Sequence, residues 1–95
     1  MTDRLEELRK KILEVDEALV RLVGERRALV LEIGRIKTEL GHPVLDPARE
    51  AAVVRRAAAL ARDHGVDEEL TRDVIWRIIA SAREEQEGSG STRDT

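Results

Sequence analysis

Residues 5–40 read LEELRKKILEVDEALVRLVGERRALVLEIGRIKTEL. Within them Leu5, Leu8, Ile12, Val15, Leu19, Leu22, Arg26, Leu29, Ile33, Ile36 and Leu40 alternate spacings of three and four without a slip. That is a heptad seam of about five repeats. It predicts one helix from residue 4 to residue 40, roughly 55 Å long at ~1.5 Å per residue. A compact globule of this chain length has a radius of gyration of only about 12 Å. The helix is therefore expected to protrude and its apolar seam to need a partner. The spacing predicts a dimer in which the long helices of two copies pack on each other.

Glycine and proline divide the remainder. Gly41-His42-Pro43 is a break. Asp46-Pro47 restarts a helix, with Asp46 as N-cap and Pro47 in the first helical position. That helix is expected to run to about His64, with Gly65 as the C′ glycine. Asp67 caps a third helix that runs to about Glu87. Gly88-Ser89-Gly90-Ser91 then opens a tail expected to be disordered to Thr95. The fold class is all-α: three helices, one long and two shorter, in a domain over 1–87 with a tail over 88–95. In the second helix Ala51, Val54, Ala58 and Ala61 form a stripe beside Val53, Ala57 and Leu60, and its alanines predict close helix packing. The third presents Leu70, Val74 and Ile78, flanked by Ile75, Ile79, Ala82 and Gln86.

Composition excludes several classes of function. Hydrophobic residues are 41% and charged residues 39%, too apolar for a disordered chain and too charged for a membrane span. The start lacks a basic-then-apolar leader and there is no cysteine, so the expected location is cytoplasmic. A net charge of −3, with one Trp and no Phe or Tyr, argues against nucleic-acid binding. His42 and His64 stand beside breaks, and no metal-ligand spacing, Ser-His-Asp set or Gly-rich phosphate loop is present. Neither a metal nor another cofactor is expected.

What remains is a set of polar residues on apolar faces. Arg26 is the one polar seam position, and it reads either as a register-setting residue or as an anion binder. Lys37 follows eleven residues later, close to three full turns. The two cations then share a face, about 20° apart and roughly 16 Å apart along the axis, over Val30 and Ile33. A small dianion would fit between them; the plainer reading is that both extend to solvent. Arg9 lies seventeen residues before Arg26, so roughly 25 Å away and about 100° around. It reaches the same ligand only from the other chain of an antiparallel pair, and alone it reads as surface. Asp46 is explained as a cap, Arg49 and Glu50 as first-turn charge, and Gln86 as a residue of a fraying end.

Taken in order, Leu8-Arg9, Glu25-Arg26-Arg27, Gly34-Arg35-Ile36-Lys37, Pro43-Val44, Asp46-Pro47-Ala48-Arg49-Glu50 and Gln86 resemble the all-helical chorismate mutases of the bacterial shikimate pathway. The resemblance runs from about Leu5 to Gln86. It implies an intertwined homodimer with two equivalent sites, each borrowing an arginine from the other chain, that converts chorismate to prephenate in phenylalanine and tyrosine biosynthesis. It further implies that Arg26 and the partner's Arg9 bind the carboxylates of chorismate, and that Lys37 and Gln86 bond its ether oxygen. Arg49 would assist at a carboxylate, while Glu50 and the backbone near Asp46 would hold the ring hydroxyl. Ala82 stands where the family often has a serine, with Ser81 beside it, so a supporting contact is expected to be lost or replaced by water. Family members often work beside other aromatic-pathway enzymes and are sometimes fused to them, so the resemblance allows association with such an enzyme.

Two competing readings differ in class. An isochorismate-pyruvate lyase of the same fold uses the same Arg/Arg/Lys/Gln set, but Asp46 and Glu50 in this arrangement favour the mutase. A catalytically silent dimerisation module explains the seam but not Arg26, Lys37 and Gln86 together. An amino-substituted chorismate stays open as the substrate.

Overall fold

A computed structural model describes residues 2–91 of the chain, with side chains over residues 3–86. It contains α1 (Thr2–Glu39), α2 (Pro47–Asp63) and α3 (Glu68–Ser91), with no strand among the described residues. The chain divides into two compact units, one ending at Val30 and one beginning at Leu31, and the boundary falls inside α1. No helix among the described residues is long and apolar enough to cross a membrane.

The helix ends follow local chemistry. Gly41 takes φ 73° and terminates α1. There the His42 N–H donates to the Lys37 carbonyl at 2.8 Å and the Gly41 N–H to the Thr38 carbonyl at 3.1 Å. Gly65, at φ 67°, repeats the pattern at the end of α2, with Val66 N–H to Ala61 at 2.8 Å and Gly65 N–H to Arg62 at 3.3 Å. Both are Schellman closures, which satisfy the last carbonyls and favour a residue without Cβ. Asp46 caps α2 by accepting from the Arg49 N–H at 3.0 Å, with Pro47 in the first turn. Asp67 caps α3 by accepting from the Leu70 N–H at 3.0 Å.

The N-terminal unit is the first part of α1. Its apolar seam, Leu5, Leu8, Ile12, Val15, Leu19 and Leu22, is exposed throughout, from 42% at Leu8 to 60% at Ile12. Its polar face carries the ion pairs Arg4–Glu7, Arg9–Glu6 and Arg21–Glu25 at spacings of three or four. These are exposed pairs, each contributing a few tenths of a kcal/mol to the helix.

In the C-terminal unit α2 packs against α3. The buried hydrophobic residues are Ala58 and Ala61 from α2 and Ile79 and Ala82 from α3. Alanine at three of these four positions lets the backbones approach closely. On α3 the row turned inward is the flanking one, with Ile75 and Gln86 half-buried beside Ile79 and Ala82, while Leu70 and Val74 face solvent in the single chain. The sequence pattern ends α3 near Glu87, whereas the backbone stays helical through Ser91. A helix already under way gains one bond per added residue, so a glycine raises its cost by about 1 kcal/mol without stopping it. The rest of the expected tail, residues 92–95, lies outside the described residues.

Across the α2–α3 turn, Arg62 clasps Glu68 through both ends, Nη2 to Oε1 at 2.8 Å and Nε to Oε2 at 3.3 Å. That hydrogen bonding, more than any other influence, holds the Glu68 carboxyl below its usual range. A carboxyl acidified by folding adds stability above its unfolded pKa and loses that contribution as pH falls toward its folded value. Glu68→Gln is therefore expected to lower Tm slightly at neutral pH. Thermal melts at matched protein concentration should show the two proteins converging in strong acid; an unchanged gap there would mean the clasp is not the cause.

Candidate functional site

The C-terminal unit gathers several of the polar residues singled out from sequence. Gly34 is buried on α1, and a Cβ placed there would lie 2.8 Å from the Gln86 Nε2 and 3.8 Å from Val44 Cγ1. The missing side chain thus makes a seat for the Gln86 carboxamide, which is half-buried in it. Lys37, also half-buried, donates from Nζ to the Val44 carbonyl at 3.4 Å. Lys37 and Gln86 therefore reach the same Gly34–Val44 corner, one from α1 and one from α3. The Schellman closure places Val44 there, because it ends α1 sharply and turns the chain back past Lys37.

A second polar feature lies at the start of α2. Glu50 is in the first turn, and its Oε1 stands 3.6 Å from Nη1 of Arg83 on α3, with the Glu50 side chain only 17% exposed. Arg83 is three residues before Gln86, so the pair sits about one turn from the Gly34 corner along α3. The Asp46 side chain is committed to its cap and its carbonyl accepts from the Glu50 N–H at 3.0 Å, so of its polar groups the backbone N–H is the one a ligand could use. Arg49 is exposed in the same turn. Ala82 is buried on the inward row of α3, one turn before Gln86, and offers only a methyl group where a serine would offer a hydroxyl.

Arg9 and Arg26 belong to the N-terminal unit. Arg26 is half-buried. Arg9 is exposed, with Nη1 at 2.8 Å from Glu6 Oε1. Among the described residues no group of three or more His, Cys, Asp or Glu side chains is placed to hold a metal ion.

Two residues escaped the sequence reading. Arg83 carried a signal only in its spacing from Gln86, since its pairing with Glu50 depends on the register of α2 against α3. Gly34 was visible as part of a short motif, but a mid-helix glycine does not announce which side chain approaches it.

Residues 8–87 match the family described as chorismate mutase type II. Among curated proteins, the chain is 40% identical over 79 residues to the chorismate mutase of Methanocaldococcus jannaschii, covering 83% of this chain and 80% of that protein. It is 40% identical over 72 residues to the bifunctional chorismate mutase/prephenate dehydratase of Escherichia coli (strain K12), covering 76% of this chain but 19% of that protein. It is 37% identical over 78 residues to the 4-amino-4-deoxychorismate mutase of Streptomyces pristinaespiralis, covering 82% of this chain and 60% of that protein.

The seat at Gly34 has a measurable consequence. A Cβ at 2.8 Å from Nε2 is too close to persist, but the end of a glutamine side chain can swing away. Alanine also favours a helix interior by about 1 kcal/mol over glycine. Gly34→Ala is expected to keep or raise Tm while displacing the carboxamide. Gln86 is the sole Gln and the chain has no Asn, so its NH2 pair is the single side-chain amide signal in a ¹H–¹⁵N spectrum. That signal should move in Gly34→Ala; an unmoved signal would mean the seat does not exist in solution.

Proposed function

The chain belongs to the chorismate mutase type II family and is an enzyme of that activity, and we propose that two copies perform the reaction in a pair of composite sites. The observation that supports this most is the convergence of Lys37 and Gln86 on the Gly34–Val44 corner. The rearrangement of chorismate to prephenate is an intramolecular [3,3] shift. It needs no nucleophile and no proton transfer. It needs a chair-like conformer, gripped by its two carboxylates so that the ends that bond lie together. Negative charge grows on the breaking ether oxygen, so fixed donors there bind the transition state more tightly than the substrate.

In this reading Lys37 and Gln86 donate to the ether oxygen. Arg26 and Arg9 of the partner subunit hold the carboxylates, with Arg49 assisting at one of them. Glu50 and the Asp46 backbone take the ring hydroxyl. Ala82 lines the site with a methyl group, and a water replaces the missing hydroxyl. The exposed seam of α1 is the surface that the second copy covers. Its polar member, Arg26, is kept because an anion neutralises it there. The enzyme works in the cytoplasm beside other enzymes of aromatic biosynthesis, in keeping with relatives such as the bifunctional Escherichia coli protein, whose one chain bears two activities in its name.

Purified protein given chorismate and isochorismate should form prephenate from the first and no salicylate from the second. Salicylate would convert the reading to a lyase; absence of product from these two and from 4-amino-4-deoxychorismate alike would reduce the chain to a dimerisation module. Sedimentation at micromolar concentration should give about twice 10.7 kDa. Arg9→Ala and Arg26→Ala should each lose most activity, because each strips a charge-assisted partner from a substrate carboxylate. Mixing them with subunit exchange should restore about a quarter of wild-type activity, since half the dimers then hold one intact site of two. No recovery despite proven exchange would assign both arginines to one chain's site.

The ether-oxygen donors have their own signature. Gln86 is an amide that does not titrate, so the wild-type rate should be nearly flat from mildly acidic to mildly alkaline pH. Gln86→Glu should work mainly at low pH, where a protonated carboxyl can donate. Equal activity of that variant at pH 8 would remove Gln86 from the ether oxygen.

A further inference from the structure

Glu50 does not face its ligand alone. Arg83 Nη1 stands 3.6 Å from Glu50 Oε1, and the carboxylate is only 17% exposed. The separation exceeds a good hydrogen bond, so Arg83 acts on Glu50 chiefly as a nearby charge. We propose that Arg83 is a specificity-determining residue, which makes the site prefer a ring hydroxyl to a ring ammonium by neutralising Glu50. The proposal rests on the placement of Glu50 at the ring substituent made above.

The electrostatics are direct. A partly buried, unpartnered carboxylate facing a ring substituent favours an ammonium, because the bond is charge-assisted and the charges are opposite. Chorismate offers a hydroxyl at that point, while 4-amino-4-deoxychorismate, by its name, carries an amino group, cationic when protonated. With the guanidinium beside it, the Glu50–Arg83 pair is neutral as a whole. Oε2 remains able to accept from an O–H. An ammonium docking there would meet a second cation a few ångströms further on, and a hydroxyl meets no such repulsion. Selectivity of this kind comes from a repulsive element set against the wrong substrate. Substrate choice would then be written on α3, in a residue that needs no contact with substrate.

The test compares kcat/KM for chorismate and for 4-amino-4-deoxychorismate in the intact protein, with melting curves to confirm folding. Arg83→Gln keeps a polar side chain and removes the charge. It should move the ratio of the two efficiencies at least about tenfold toward the amino substrate, whereas Arg83→Lys should hold it near wild type. In a Glu50→Gln background the guanidinium's repulsion of an ammonium persists, so adding Arg83→Gln should again move the ratio toward the amino substrate. A fall in both efficiencies by the same factor in Arg83→Gln would overturn the proposal and leave Arg83 as a tie between α2 and α3. If Glu50→Gln itself leaves the ratio unchanged, the placement of Glu50 fails and the proposal goes with it. A shift in Glu50→Gln without one in Arg83→Gln sinks the Arg83 proposal alone.

Discussion

Ala58, Ala61 and Ala82 leave little between α2 and α3, and the polar geometry of the C-terminal unit depends on that close approach. Three of its four buried hydrophobic residues carry only a methyl group. Larger side chains there would part the helices. Glu50 could then no longer lie 3.6 Å from Arg83, and the Gln86 end of α3 would withdraw from Gly34. The packing is thin in stabilisation, since an alanine buries little area. Its value is positional: small residues fix the register of two helices whose polar residues must meet others.

The chemistry of the family explains why this economy suffices. An intramolecular rearrangement asks the protein for shape and for charge placed where charge will develop. Lysine and arginine supply charge at any ordinary pH, and a primary amide donates without titrating. None of these needs a deeply buried pocket to perturb its pKa, in contrast to enzymes that must tune a carboxyl or imidazole for proton transfer. A small helical domain with a modest core can therefore carry the reaction. Dimerisation supplies both the missing apolar cover and the second arginine in the reading given above.

Much of the fold was legible because it is written in local chemistry. Asp46-Pro47, Asp67, Gly41 and Gly65 each serve a helix end through a bond reaching no more than five residues away, and such signals need no knowledge of tertiary structure. The seam of α1 was legible because a three-four alternation survives only in a helix. The inward row of α3 was harder. Leu70, Val74 and Ile78 look like the stronger apolar stripe, yet α2 presents alanines, and the α3 row that is buried is that of Ile79 and Ala82. Among site residues, Lys37 and Gln86 stood out as polar positions on apolar faces. Arg83 did not, because an arginine on an exposed-looking helix position becomes informative only once α2 places Glu50 opposite it.

Gly34, Arg26 and Gln86 share one property: each is a poor local choice. A glycine in mid-helix forfeits about 1 kcal/mol against alanine. An arginine in a heptad seam interrupts the apolar stripe, and a carboxamide on a buried row needs a partner or costs its desolvation. Sequences that fold well are consistent across levels, and departures from that consistency concentrate where function overrides stability. Two of the three departures are coupled, since the glycine makes room for the carboxamide. The seat at Gly34 cannot be repaired toward stability without moving Gln86. If Gln86 donates as proposed, selection for the reaction and selection for the helix oppose each other at that one Cβ.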